Sequence, residues 1–421
     1  MSGFSQSTSE PYTYGSYGLI NSDAFIYQQL MGGLGSTTRN KGSFSLVNPA
    51  SLSAVKYSIL KTGVNLNYVQ QQQNNSQASH TKGNLEYFSL GMPLKKNMGF
   101  SVALNQFSNI DYLFNIYSSV DTNTTLDSFN GYGGINQLKL GYGIEVFKGF
   151  SVGVGATFLF GNLQDITVRR FTNNSAIFST VQHSISYFNG AKWNGGVQYN
   201  RQIWGEKNLA IGLQGGMESN LKRSTDKLVY TANSVVGYPI DTVLNQKDLA
   251  TTSKLPSWYG FALSLENENA WMIGAEYNSQ LWSKVQDIKG LNSFYDQTQL
   301  SIGGYYQIKK QPQSDKLSAR DRRVDYIKNI RYYAGYRSAN LYTGIAGTPI
   351  SERSVSLGVG LPFYTVYKIN GIEYRMVSRV NVGVEYIMRG QNDNNLIEEN
   401  ILGIKFGLTL NDKWFNKRKY N

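Results

Sequence analysis

Apolar side chains recur at every second position in fourteen separate stretches of this 421-residue chain, and that period decides what it can fold into. The clearest pair joins Leu138, Leu140, Tyr142, Ile144 and Val146 to Phe150, Val152, Val154, Ala156, Phe158 and Phe160. Between them stand Lys139, Gly141, Gly143 and Glu145, then Ser151, Gly153, Gly155 and Thr157. On a strand such alternation puts one set on each face. The other segments centre on 63–68, 85–92, 100–104, 197–199, 209–213, 259–265, 271–277, 298–306, 330–336, 355–361, 380–386 and 402–410. The face opposite the apolar one is small and polar rather than charged, and charged residues make up only 16% of the chain, against ~25% in soluble proteins. A soluble sandwich would bury its apolar set and cover the other face with charge. The pattern instead predicts an all-β fold, a transmembrane antiparallel β-barrel of fourteen strands with apolar residues facing lipid and polar residues facing the lumen. Closure pairs every backbone group, as a sheet in lipid requires. No segment approaches the ~18 to 20 consecutive apolar residues of a membrane helix.

Connection lengths orient such a barrel. With both barrel ends in the periplasm, even-numbered connections should be tight turns and odd-numbered ones long. Lys95-Lys96-Asn97 and Phe147-Lys148-Gly149 are tight, whereas the third, fifth and seventh connections run over roughly 107–134, 161–190 and 218–256. The tenth, 309–328, and the twelfth, 362–378, are long against this phase. The tenth carries Lys309, Lys310, Lys316, Arg320, Arg322 and Arg323 against Asp315, Asp321 and Asp325. It reads either as a solvated face or as a docking surface for a membrane or periplasmic partner.

Composition removes most chemistry. There is no cysteine, so disulfides, thiolate zinc sites and thiol nucleophiles are excluded. His80 and His183 are the two histidines, both expected in or beside outer loops. Gly149-Phe150-Ser151-Val152-Gly153 mimics a nucleophile elbow, but more strand follows where a helix is required. The acidic stretch 121–127 lacks the spaced carboxylates of a calcium loop, and Gly33-Leu34-Gly35 has no third glycine for a dinucleotide. The chain is therefore read as non-enzymatic, with no catalytic residue, metal or cofactor. The net charge of +12 is dispersed over turns and loops, which suits anionic lipid rather than nucleic acid. Tyr57, Tyr68, Tyr112, Tyr142, Trp258, Trp271, Trp282 and Trp414 are placed near strand ends as interface anchors.

A long leader precedes the first strand. Phe25, Ile26, Leu30 and Met31 lead into Gly32-Gly33-Leu34-Gly35, and Phe44, Leu46 and Val47 precede Asn48-Pro49-Ala50. Here the chain resembles the FadL-like outer-membrane proteins, whose N-terminal segment combines a Met-Gly-Gly stretch with an Asn-Pro-Ala motif and whose barrels have fourteen strands. Ser356 to Pro362, Val382 to Tyr386, Glu399-Asn400 and the closing Gly407 to Phe415, with Trp414-Phe415, are similar to the Bacteroidetes branch of that superfamily. The resemblance implies that residues 1–50 form a hatch inside the barrel, that 51–415 form the barrel, and that 416–421 form a basic tail. Pro49 sets its own φ and biases Asn48 to an extended conformation, Asn48 can bond nearby backbone, and Ala50 permits close approach to the wall. The location implied is the bacterial outer membrane, with any secretory signal removed before this numbering, because Met1-Ser2-Gly3-Phe4 lacks a basic start and apolar core. The function implied is binding and passage of hydrophobic small molecules, with lipid outside and ligand, lipid or detergent in the lumen. The alternative is an accessory subunit of a type 9 secretion translocon.

Overall fold

A computed structural model describes residues 10–413 except 75, 121, 175, 234–237, 268–269, 286–293, 309–325, 346–347, 370–371 and 392–396. Lys309, Lys310, Lys316, Arg320, Arg322, Arg323, Trp414, Phe415 and the basic tail lie outside the described residues.

The chain closes a fourteen-stranded antiparallel barrel. Its strands are β1 (Ser58–Gln73), β2 (Ser76–Lys95), β3 (Met98–Val120), β4 (Asn123–Phe147), β5 (Phe150–Phe171) and β6 (Ser179–Trp204). Then come β7 (Lys207–Gly216, resumed as Ser219–Ala232) and β8 (Pro239–Leu255, resumed as Trp258–Asn267), each interrupted by two residues at the same level. The remaining strands are β9 (Trp271–Gln280), β10 (Gln297–Gln307), β11 (Arg331–Ile345), β12 (Thr348–Ile369), β13 (Ile372–Gly390) and β14 (Glu398–Asp412). Each strand pairs with its sequence neighbour, and β14 closes on β1 from Asp412–Ser58 to Glu398–Gln72.

Alternation explains the two faces. Val64, Leu66 and Tyr68 on β1, Val154, Phe158 and Phe160 on β5, and Leu402, Ile404 and Phe406 on β14 are exposed on the outside. Lys61, Lys139, Glu276, Glu385 and Lys405, at alternate positions, are buried inside. The exposed Trp193 and Trp204 of β6 are eleven residues apart, ~36 Å along a strand rising ~3.3 Å per residue. A tilt of about 40° reduces this to ~28 Å, close to the height of the hydrocarbon core. At one end the hairpins are tight, with Asn97 and Gly149 in the left-handed region at φ 63° and 84°, as two-residue turns demand.

The opposite end differs from the sequence reading. The stretches 107–134, 161–190 and 218–256 are largely strand, so β3 to β8 rise beyond the membrane as tall hairpins instead of ending in loops. In water a strand needs no lipid-facing apolar row, which is why alternation fades there. Both histidines likewise sit on strands, β2 and β6. Residues 362–378, read as a connection, prolong β12 and β13.

The segment before β1 lies against the inner faces of the strands all round the barrel. It contains two short 3-10 helices, Pro11–Thr13 and Pro49–Ala54, the strand Leu19–Ile20, and one helical turn, Ile26–Gln29. Its apolar residues form two layers with the wall. Phe25, Ile26, Leu30, Met31, Phe44 and Leu52 pack with Ile59, Tyr305 and Tyr333 toward the tight-turn end. Tyr17 packs with Phe107, Tyr112, Phe188, Trp282, Phe294 and Tyr342 toward the other. Tyr112 and Trp282, read above as interface anchors, are thus buried in this second layer.

Candidate functional site: a polar chamber and a seam in the wall

Between the two apolar layers lies a cavity of about 280 Å³ with charged and amide walls. Its lining includes Asp23 from the N-terminal segment, Lys82 and Glu86 from β2, Lys139 from β4, Lys192 from β6 and Lys405 from β14. On one side the charges form a cross-strand ladder. Arg337 pairs with Glu352 at 2.9 Å and Glu385 at 3.0 Å, Arg389 with Glu352 at 2.8 Å and Glu399 at 3.0 Å, and Lys405 with Glu385 at 3.0 Å. Pairing in this way offsets the cost of burying these charges. Large aromatic side chains fill the two layers, and the cavity between them sets these charges beside apolar residues such as Phe107, Trp258 and Ile401.

The N-terminal segment is held to this wall at several points. Asp23 accepts from Lys139 Nζ at 2.6 Å and Gln137 Nε2 at 2.9 Å. Burial opposes ionisation of its carboxyl, but the ammonium groups of Lys139 and Lys192 outweigh burial and hold it below the usual carboxylate range. Arg39 pairs with Glu145 at 3.2 Å, and burial lowers its guanidinium pKa despite that partner. Lys61 donates to Ser43 Oγ at 2.7 Å and to the Phe44 carbonyl at 2.9 Å, with its ammonium 3.9 Å from the Phe25 ring centroid. Gln29 Oε1 accepts from Lys405 at 2.6 Å.

Gly32, Gly33, Gly35 and Asn48-Pro49-Ala50 all lie in this segment. Gly32 adopts φ +74°, and a Cβ there would stand 2.6 Å from the Tyr336 carbonyl, so the chain passes directly against β11. Gly33 has φ +97° beside Gln299. The Gly35 and Ser36 amides donate to Glu276 Oε2 at 2.8 and 2.9 Å. Asn48 is extended at φ −125° and caps the helix Pro49–Ala54 by accepting from the Ala50 amide at 3.0 Å. Its amide nitrogen donates to the Ser36, Val197 and Leu213 carbonyls at 3.3, 3.2 and 3.2 Å, tying the corner to β6 and β7. Close approach at Ala50 is permitted by the wall, where Gly153 of β5 faces its backbone without a side chain.

Between β2 and β3 the ladder stops before either strand does. The β2–β3 ladder ends at Tyr87–Asn105. Beyond it, among the described residues, β2 continues to Ser76 paired with β1, and β3 continues to Val120 paired with β4. The N-terminal segment occupies this seam. Leu19 and Ile20 pair with Asn109 and Ser108 on the freed edge of β3, and the Glu10 carboxylate reaches Lys82 on β2 and Asn109 on β3. Lys82, Glu86 and Asn109 also line the chamber, so the seam leads into it. On the outer face, an apolar groove of about 830 Å³ is floored by Gly304 and Ala334 and flanked by Tyr306 and Tyr332. Neither the seam nor the ion-pair ladder is visible in the sequence, because both depend on register.

A closed fourteen-stranded barrel with an apolar exterior, two aromatic levels and a charged lumen defines an outer-membrane β-barrel of FadL-like architecture. The chain belongs to the BamG family, whose model matches residues 1–421. Its fold is similar to that of a FadL homologue of Pseudomonas aeruginosa at 13% identity and TM-score 0.56, covering 94% of this chain and 98% of that one. It is also similar to the Pseudomonas putida toluene transporter TodX, at 12% identity and TM-score 0.56 over 93% of this chain and 100% of that one. The monoaromatic hydrocarbon channel CymD gives 12% identity and TM-score 0.55 over 94% and 100% of the two chains. Two of these neighbours, TodX and CymD, are a transporter and a channel. No curated protein sequence matches significantly.

Proposed function

We propose that this barrel admits small hydrophobic molecules bearing a polar group through the β2–β3 seam and passes them inward when the N-terminal segment moves. The observation that carries this reading is the seam, where the β2–β3 ladder stops while both strands continue and whose edges line the chamber. The exterior presents apolar surface on which such molecules partition, and the chamber supplies groups for a polar end. Residues 10–57 act as the hatch. The likeness to a toluene transporter and a hydrocarbon channel supports the class of cargo. The test is uptake of a fluorescent amphiphile into proteoliposomes. Ile20→Cys combined with Ser108→Cys, directly opposed where the segment pairs with β3, in a chain free of other cysteines, should lock the hatch and make uptake dependent on reductant. Wild-type uptake no faster than that of empty vesicles would refute the transport reading.

Closure of the lumen by both apolar layers favours a second reading, an accessory subunit of a larger outer-membrane assembly such as a type 9 secretion translocon. Gentle purification should then recover a partner barrel reproducibly. Replacing 309–328 by a short turn should release it, and unchanged recovery would remove that connection as the docking surface.

A further inference from the structure

Toward the tight-turn end of the lumen, two arginines share a single neutral acceptor. Arg331, the first residue of β11, donates from Nε to Gln307 Oε1 at 3.0 Å, and Arg379 of β13 donates to the same oxygen at 3.3 Å. Arg379 also reaches the Asn329 carbonyl at 3.4 Å, but its Nε is buried with no hydrogen-bond partner. The Arg331 guanidinium lies 4.4 Å from the Tyr305 ring centroid. Glu266, on the adjoining wall, accepts from the Tyr305 hydroxyl at 2.5 Å and acts on Arg331 through its charge without a direct ion pair to it. Among the described residues neither arginine forms an ion pair, whereas Arg39, Arg337 and Arg389 all do.

This arrangement is electrostatically incomplete. Guanidinium groups do not shed their protons in proteins, so two of them held together repel, and one amide oxygen does not offset that repulsion. Arg337 and Arg389 solve the same problem with carboxylates. Both residues are half-buried rather than sealed in, and paired guanidiniums match the geometry of planar or tetrahedral oxyanions. We propose that Arg331 and Arg379 form an anion site at the periplasmic mouth of the barrel, taking a phosphate or carboxylate group from a lipid headgroup or from a free solute. The inference does not require that the barrel transport anything.

The test is thermal unfolding of the whole protein in an uncharged detergent, titrated with inorganic phosphate at constant ionic strength. The wild type should show a saturable rise of the midpoint by at least about 2 °C. Arg331→Gln and Arg379→Gln should abolish it, while Lys254→Gln, an exposed side chain outside the lumen, should keep it. Should the glutamine variants fail to fold, Arg379→Lys, which retains charge but not the fork, should weaken the phosphate effect about tenfold. In phosphatidylcholine nanodiscs, loss of the phosphate response on adding phosphatidylglycerol identifies a lipid headgroup as the occupant, and its persistence identifies a free anion. An absent shift, or equal shifts in the wild type and in the arginine variants, would overturn the site.

Discussion

Glu276→Gln tests how the N-terminal segment is held. The Glu276 carboxylate is buried and receives donors only. Oε2 takes the Gly35 and Ser36 amides at 2.8 and 2.9 Å, and Oε1 takes Ser36 Oγ, Gln214 Nε2 and Asn278 Nδ2 at 3.2, 3.2 and 3.1 Å. Glutamine keeps one acceptor and turns the other into an NH2 group facing donors. Hydrogen bonds to a charged acceptor contribute ~1.5–3 kcal/mol against ~0.5–1.5 for a neutral one, so two weakened backbone bonds cost about 2 kcal/mol. The stranded donor costs about 1 kcal/mol more. A local opening free energy lowered by about 3 kcal/mol corresponds to roughly a hundredfold faster amide exchange. Hydrogen–deuterium exchange of peptides spanning 30–40 measures this directly, with wall peptides from β3, which does not carry Glu276, as the internal control. Exchange within threefold of wild type would show that Glu276 does not anchor the segment.

Three further outcomes follow from the same contacts. Gly335→Ala places a methyl group against the backbone of Met31 and Gly32, so the barrel should still insert while protease gains access near residues 31–35, as a cleavage time course would detect. Asp23 ionises more readily in the folded state than its ordinary value of 3.8, so its contribution is complete above that value and disappears as pH falls through the lower folded value. Protection of residues 19–24 in Asp23→Asn should therefore be weaker than in wild type at neutral pH, and the difference should vanish under strong acid. Glu352→Ala leaves Arg337 and Arg389 each short of a partner, which should destabilise the barrel by about 3–5 kcal/mol, lowering its unfolding midpoint, whereas exposed Lys254 and Glu218, also paired, should tolerate substitution with little change.

Every strand was legible as alternation because lipid imposes an apolar row wherever a wall crosses it. Where β3 to β8 leave the membrane that demand ends, and Phe107 to Gly134 reads as a loop although it is mostly ladder. Lys139 and Glu145 were recognisable as lumen-facing, yet their partners Asp23 and Arg39 lie in the leader more than a hundred residues away. Such pairing follows from how the leader is laid across the wall, which no local pattern encodes. Glu352, Glu385 and Lys405 sit on three successive strands, with Arg389 on the same strand as Glu385, and register brings them together.

One contact bears on how the molecule is made. Gly63 and Gly407 face each other where the first and last strands meet, and the space their missing side chains leave is filled from within by Ile26. A chain already zipped into a ring would have to thread some fifty residues past two aromatic layers to reach that position. Assembly in the opposite order costs far less: the leader collapses onto the growing sheet, and the final joint forms around it. A barrel deprived of its leader would then struggle to find its own last neighbour.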